Sequence, residues 1–405
     1  MLAVLALAAG LAQAAPPPPP LTLAQAIGQA RVSSPLRTSA EAIAEGASNA
    51  ARLAGRLPNP LVDVRAENLG PDGRVARPRD IFALVSQPWE LGGKRGIRRG
   101  IAEAERDTAD ATLHVVDRQL ETRTIQLYLQ ALKARGVLDT LLANRDGLTT
   151  IIDTMRRRVG EGYSPEADLL KFETESARTE IDIARARLDL EQSLSALTFT
   201  IGAATPIDAA QLVEPQPADP PQPDPAALAT AIARHPELAA AETRLARARQ
   251  ASALERARRI PDAVVTAGYK RTAGLDTAVA GVMFTIPLFD RNGSAAARSA
   301  GEELAASAER DAVRLRLTSE ANVLIATART LTERSDRATR ELLAPADTVR
   351  DAARAQFREG TADLLTLIDA ERVHSEVRRV ALELRLDALA ASLEARLAMG
   401  EDMLP

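Results

Sequence analysis

The segment Arg157 to Arg178, RRVGEGYSPEADLLKFETESAR, has a second version, AQFREGTADLLTLIDAERVHSEVR, from Ala355 to Arg378. Each is a helix end, a glycine turn and a new helix start. Gly162 corresponds to Gly360, and Asp168-Leu169-Leu170 to Asp363-Leu364-Leu365. Similarity at a spacing of nearly half the chain marks two copies of one unit, which restricts the 405 residues to an internally repeated architecture.

The copies are helical in composition. Ala, Leu, Arg and Glu dominate and aromatic residues make up only 2%, as in long helices whose seams hold small and aliphatic side chains. The formal charge of -4 gives no basic field for a nucleic-acid backbone, so nucleic acid is excluded as a partner. There is no cysteine, which removes disulfides, thiolate metal sites and an acylated cysteine anchor. The three histidines, His114, His235 and His374, lack ligand spacing, so no metal site and no cofactor are expected.

Residues 1–14 read as a secretory leader: the stretch is apolar and ends in Ala12-Gln13-Ala14, although the usual positive start is missing. A Pro-rich tether follows over 15–22. The first repeat spans 23–202. Its opening helix, Leu23 to about Arg56, is interrupted by Pro35 and stopped by Pro58. A β-hairpin fills 60–90, with alternating Leu61–Asn68, a Gly70-Pro71-Asp72-Gly73 turn and the return strand Asp80–Gln87. A long helical hairpin covers 94–201. The linker 203–225, containing EPQPADPPQPDP, is expected at the surface. The second repeat, 226–400, places a hairpin at 262–288, with strands Ala263–Arg271 and Val279–Ile286, and helices over 294–399; a tail 401–405 ends the chain.

The rod from Lys94 to Val159 contains no proline and is on the order of 100 Å long at ~1.5 Å per residue. Leu138, Leu141, Leu148, Ile152, Met155 and Val159 form a heptad-like seam, as do Leu317, Leu324 and Leu331 in copy two. Val373, Val377, Val380 and Leu384 give the last helix its stripe, and Pro345 should kink the second rod. Strands of roughly 8 to 10 residues suit a tilted bilayer crossing. Phe82, Trp89, Tyr269, Phe284 and Phe289 gather in or beside the hairpins, where an interfacial girdle would need them. A small soluble sheet with rings packed under the helices is the other reading. Four strands cannot close a membrane barrel, so several chains would have to share one.

The duplicated layout, FREGTADLLTLIDAE, and QPWELGGKRGIRR from Gln87 to Arg99 resemble the TolC-like outer-membrane efflux proteins, most nearly the branch serving cobalt-zinc-cadmium export. The resemblance implies a mainly helical fold with a small membrane β part: a homotrimer whose two hairpins per chain share a twelve-stranded barrel, continued by a periplasmic α-barrel. It implies an outer-membrane conduit joined to a periplasmic adaptor protein and an inner-membrane RND-type pump, and it implies no enzyme. A periplasmic coiled-coil scaffold or adaptor is the alternative from another class.

By the same resemblance the pump-facing tips are Val159, Gly160, Glu161, Gly162, Tyr163 and Asp168 in copy one, and Arg358, Glu359, Gly360, Thr361 and Asp363 in copy two. Adaptor docking and channel closure would occur there. The two glycines would permit the reversal, and Asp168 and Asp363 would sit near positive helix ends, either as gate charges or as plain caps. At the barrel-to-helix transition stand Trp89, Gly92, Gly93, Lys94 and Arg95, with Gly293 the glycine kept in copy two. Lys94, Arg95, Arg98 and Arg99 form a basic cluster, read either as a membrane-boundary patch or as a solvated helix start. No nucleophile elbow, phosphate loop or ligand cluster points to catalysis.

Overall fold

The computed structural model describes residues 19–69, 75–359, 361 and 364–401. The expected leader, the Gly70-Pro71-Asp72-Gly73 turn, Gly360, Ala362 and Asp363 lie outside the described residues.

Each repeat begins with two short helices. α1 (Leu23–Ser33) starts at a reciprocal cap, in which the Thr22 hydroxyl accepts from the Gln25 amide at 3.2 Å and the Gln25 side chain accepts from the Thr22 amide at 2.8 Å. Pro35 starts α2 (Pro35–Leu53), because proline lacks only an amide that a first turn leaves unpaired. Pro236 does the same for α6 (Pro236–Ala257), after α5 (Pro225–Ala233). The expected single opening helix is therefore two.

β1 (Leu61–Leu69) and β2 (Val75–Trp89) pair antiparallel, as do β3 (Ala263–Thr272) and β4 (Leu275–Phe284). The β2–β3 pairing joins the repeats into one sheet of order β1-β2-β3-β4, leaving β1 and β4 as edges. β4 begins four residues before the expected strand and ends two before it, because Ala273 (φ 52) and Gly274 (φ 86) close a two-residue turn with both central residues left-handed.

α3 (Lys94–Gly160) is one rod of 67 residues, on the order of 100 Å. α4 (Glu166–Thr200) returns along it. In copy two α7 (Gly293–Ala338) and α8 (Ala344–Glu359) flank a π turn, Thr339–Leu343, and α9 (Leu364–Ala398) returns. The expected kink is this π turn. Pro345 has no amide to offer the Glu341 carbonyl and its ring crowds that group, so the ladder widens just before it; Ala344 N–H bonds back to Thr339 O.

The main core lies where the repeats meet, midway along the rods. Ile125, Tyr128 and Leu132 of α3 pack against Ala26, Ile27 and Ala30 of α1, Leu197 and Ile201 of α4, and Leu389 and Leu393 of α9. The inter-repeat segment is only partly a surface linker. Ile207 and Leu212 are buried in this core, Leu21 N–H bonds Gln211 O at 2.7 Å, and Val213 N–H bonds Leu21 O at 3.2 Å. The Tyr128 hydroxyl lies 2.6 Å from both the Leu21 and the Val213 carbonyl oxygens, and it accepts from Val213 N–H at 2.9 Å. A buried ring with a polar tip thus ties both ends of the first repeat together.

Candidate functional site: the sheet and the two ends of the rods

The strand register sorts the sheet into two unlike faces. Val62, Val64 and Ala66 stand opposite Val85, Ala83 and Ile81. The same face continues through Ala267 and Tyr269 to Ala280 and Ala278, and through Trp89 and Ala263 to Phe284. Over the paired stretch Val62–Ala66, Ile81–Trp89 and across β3 and β4, the charged residues of this face are Arg271 and Asp276, beside the β3–β4 turn. The other face carries Asp63, Arg65, Glu67, Asp80 and Lys270, with Ser86 and Thr266 hydrogen-bonded across strands at 2.8 Å. On β3, residues of this polar face are half-buried while those of the apolar face, after Ala263, are exposed, as a sheet curved around its polar side requires. An exposed apolar face on a curved sheet is what a lipid-facing barrel wall presents.

Phe82 departs from the expected girdle. It stands between Arg65 and Lys270 in the register, with Arg65 at 4.8 Å and Lys270 at 5.2 Å from its ring centre. It is therefore a polar-face residue held by two cation–π contacts. Trp89 and Phe284 remain on the apolar face in one row at the helix end of the sheet, and Tyr269 is on that face toward the other end. Phe289 follows β4 and is fully exposed.

Below Trp89 the chain turns from strand to rod. Gly92 (φ 70) and Gly93 (φ 73) take consecutive left-handed conformations, and a Cβ on Gly92 would meet Ile260 Cδ1 at 2.8 Å. The Lys94 ammonium is buried and bonds Ile260 O at 2.5 Å and Asp262 Oδ1 at 2.7 Å, while Leu91 N–H bonds the same carboxylate oxygen at 3.0 Å. The strand-to-rod turn of copy one is thereby fastened to the helix-to-strand turn of copy two.

The rest of the basic cluster fits neither sequence-based reading alone. Arg95 Nε donates to Gly55 O at 2.5 Å, and Arg98 donates to Ala54 O at 2.9 Å and Arg56 O at 3.2 Å while pairing with Glu90 at 2.6 Å. These guanidiniums satisfy carbonyls at and just after the end of α2 and favour its negative pole. In copy two the left-handed residue is Asn292 (φ 58), and Gly293 is the first helical residue. Asn292 Nδ2 donates to the Glu255 carbonyl at 2.9 Å, so asparagine serves where copy one uses glycine and a cation.

At the far end, α3 stops in a Schellman turn. Gly162 (φ 76) donates its N–H to Val159 O at 3.0 Å, and Tyr163 N–H reaches Arg158 O at 2.8 Å. Gly202 and Gly400 end the returning helices with the same pair of bonds. In copy two Thr361 N–H bonds Gln356 O at 2.9 Å, the corresponding long bond. Gly160 closes α3, Glu161 is its C-cap, and Tyr163 is exposed. Arg158 stacks over Phe357 at 5.0 Å, joining the two tips above Leu148, Ile152, Met155, Phe172 and Leu367. Arg358, Glu359 and Thr361 are exposed.

Asp168 is the third residue of α4 and pairs with Lys171 at 3.1 Å. Gly162 to Gly202 and Gly360 to Gly400 are the same distance apart, and each returning helix starts four residues after its turn glycine. Asp168 therefore corresponds to Thr366 by this count, while Asp363 lies outside the described residues. The Ala-Asp-Leu-Leu identity is displaced by nearly one turn.

The sequence reasoning missed a polar cluster just above this tip. His374 Nε2 lies 2.9 Å from Asp347 and 2.8 Å from Arg350 Nη1, and the buried Glu371 binds Arg354 through both carboxylate oxygens. Near the tip the buried face of α9 is Leu367, Ala370, Glu371 and His374; of the expected stripe Val373 is exposed and Val377, Val380 and Leu384 are half-buried. Apolar periodicity cannot reveal a helix face that packs through ion pairs. The i, i+3 and i, i+4 spacing of these four residues was the available signal. Among the described residues, no group of three or more His, Cys, Asp or Glu could hold a metal ion, and no helix is long and apolar enough to cross a membrane.

Comparison with known proteins decides the family. Residues 26–203 and 227–401 match the outer membrane efflux protein profile. The chain belongs to the outer membrane efflux protein family. This efflux protein is 29% identical over 366 residues to the cobalt-zinc-cadmium resistance protein CzcC of Cupriavidus metallidurans, covering 89% of this chain and 85% of that one. Its fold is that of CusC, at TM-score 0.78 and 18% identity over 94% of this chain and 92% of the other. The outer membrane protein VceC of Vibrio cholerae has TM-score 0.77 and 18% identity over 93% and 96%. This efflux protein is thus an outer-membrane protein with the fold of solved outer-membrane channels.

Proposed function

We propose that three copies of this chain close one twelve-stranded barrel and one helical tunnel, forming the exit duct of a tripartite system that exports heavy-metal cations. The carrying observation is the four-stranded sheet with an apolar face, a polar face and two edges. In lipid each open edge would leave backbone groups unpaired, so β1 of one chain must meet β4 of the next. The apolar face then meets lipid and the polar face lines the pore. This face also favours the channel over a soluble scaffold.

The exposed Val373 on α9 is available to a neighbouring chain in the tunnel wall. The turns at Gly162 and Thr361, with the exposed Tyr163, Leu170 and Leu365, form the end offered to a periplasmic adaptor and, through it, to an inner-membrane RND-type pump. Cation cargo is supported by the similarity to CzcC. The cation is cargo passing through a passive conduit.

The chain has no native cysteine, so paired substitutions report the closure directly. Val64→Cys on β1, combined in turn with Ala278→Cys, Ala280→Cys and Val282→Cys on β4, should give intermolecular disulfides up to a covalent trimer for one register. Failure of every combination to link chains in outer-membrane fractions would overturn the shared barrel. Cation export is tested separately, by cobalt, zinc and cadmium tolerance of cells lacking the protein.

A further inference from the structure

We propose that the groove between the end of α2 and the start of α3 binds the phosphate of an anionic phospholipid from the inner leaflet of the outer membrane. The groove, about 640 Å³, is lined by Arg52, Arg56, Arg95, Arg99 and Arg106 against a single carboxylate, Glu103. Five guanidiniums gathered in a chain of formal charge -4 are a local excess, since most arginines elsewhere are interleaved with acids. Two of the five are neutralised locally, Arg99 by Glu103 at 2.8 Å and Arg106 by Asp107 at 2.6 Å. Arg52 contacts only the Asn49 amide oxygen, Arg95 uses its Nε on Gly55 O, and Arg56 has no side-chain partner among the described residues. Three cationic forks therefore have no carboxylate, and a phosphate diester offers the paired oxygens such forks bind.

Depth and side select the lipid. Trp89 and Phe284 stand in one row on the apolar face at the helix end of the sheet, where interfacial rings mark the membrane boundary. Arg95 and Arg99 lie in the first two turns of the rod that follows, about 2 to 8 Å further along its axis. The polar layer on each side of the hydrocarbon core is about 5 to 8 Å deep, so the groove meets it. Leu53 and Leu57 at the end of α2, Leu91 before α3 and Ile260 after α6 are exposed apolar side chains on the flanking segments. Arg99, Glu103 and Arg106 precede Tyr128 by about eight, seven and six helical turns. They share the face of α3 that carries α1 and the inter-repeat segment. Segments packed on a tunnel wall lie outside if the lumen is open, so the groove opens outward to the leaflet.

The inference rests on the bilayer placement of the sheet, and the test separates the two. Purified full-length protein, stripped of lipid and then offered phosphatidylglycerol, phosphatidylcholine or diacylglycerol, is examined by native mass spectrometry for lipid kept by each trimer. Phosphatidylglycerol should be retained at one per chain, at least about tenfold over phosphatidylcholine, with diacylglycerol not retained. The double variant Arg52→Gln, Arg56→Gln should lose that retention while still assembling and conducting, whereas Arg185→Gln with Arg187→Gln on α4 should keep it. Equal retention of the two phospholipids, retention by the Arg52/Arg56 variant, or displacement by millimolar inorganic phosphate, which would mark a free-anion site, each overturns the proposal. If the variant does not assemble, competition on the unmodified protein decides. A conducting trimer that keeps no phosphatidylglycerol sinks only the groove; protein that never inserts sinks the barrel.

Discussion

Single residues at the rod ends separate conformational strain from contact. A Cβ added to Gly162 (φ 76) would meet no atom within 4 Å, so Gly162→Ala should cost only the left-handed penalty, ~1 kcal/mol. At Gly202 (φ 64) the same Cβ would lie 2.2 Å from Ser33 O, and Gly202→Ala must also push α1 away from the core. Thermal unfolding of the two variants should show the larger loss at Gly202, and equal losses would contradict the difference in packing. His374 gives a pH signature. Burial pushes its pKa below the ordinary 6.5 against the pull of Asp347, with Arg350 lowering it further and Glu371 opposing. A histidine held neutral in the fold binds fewer protons than in the unfolded chain. Its contribution is therefore whole above about pH 6.5 and is lost as pH falls from there toward the depressed value. Hydrogen exchange in α8 and α9, corrected for intrinsic rates, should quicken as pH falls below about 6.5, and His374→Gln should flatten that dependence.

Among the elements, the second rod is the one with a built irregularity. Copy one runs through the corresponding region as an unbroken helix, whereas copy two spends five residues, Thr339–Leu343, on a π turn forced by Pro345. Pro345→Ala restores one backbone donor, and the local ladder should gain ~1 kcal/mol. That gain should slow amide exchange over 339–346 about fivefold. Unaltered exchange there would mean that the polar cluster at Asp347, Arg350 and His374, not the proline, holds the π turn. The rods themselves were legible in the sequence, since Lys94 and Gly160 bound α3 almost where heptad spacing and the Gly92-Gly93 pair put its ends. The buried face at the start of α9 was not, because Glu371 and His374 pack there through ion pairs to α8.

For the whole molecule, the polar face of the sheet sets what the exit tolerates. Arg65 and Lys270, held on either side of Phe82, balance Asp63, Glu67 and Asp80 on the same face, with Arg65 3.8 Å from Asp63 and 3.6 Å from Glu67, so removing both cations would leave three carboxylates per chain facing the pore once three chains close the barrel. Arg65→Gln with Lys270→Gln should therefore raise the cation-to-anion permeability ratio in planar bilayers, since fixed charge in a narrow pore concentrates counter-ions. A ratio unchanged by the double substitution would place these residues off the conduction path. Lys94 works at the same scale, because its contact with Asp262 is where the two repeats share one base beneath the sheet.

The sequence by itself determined the duplication, the order of helices and hairpins, the length of the first rod and the glycine turn that ends it, because these follow from local backbone preference and short-range periodicity. The tertiary structure decided what depends on partners distant in the chain. Only the register of β2 against β3 assigns Phe82 to the polar face and Trp89 to the apolar one. Only the packing of α2 on α3 turns a run of basic residues into carbonyl caps and an arginine-lined groove. A side chain's chemistry is written in the sequence, but the face it presents is set by neighbours that folding brings from elsewhere.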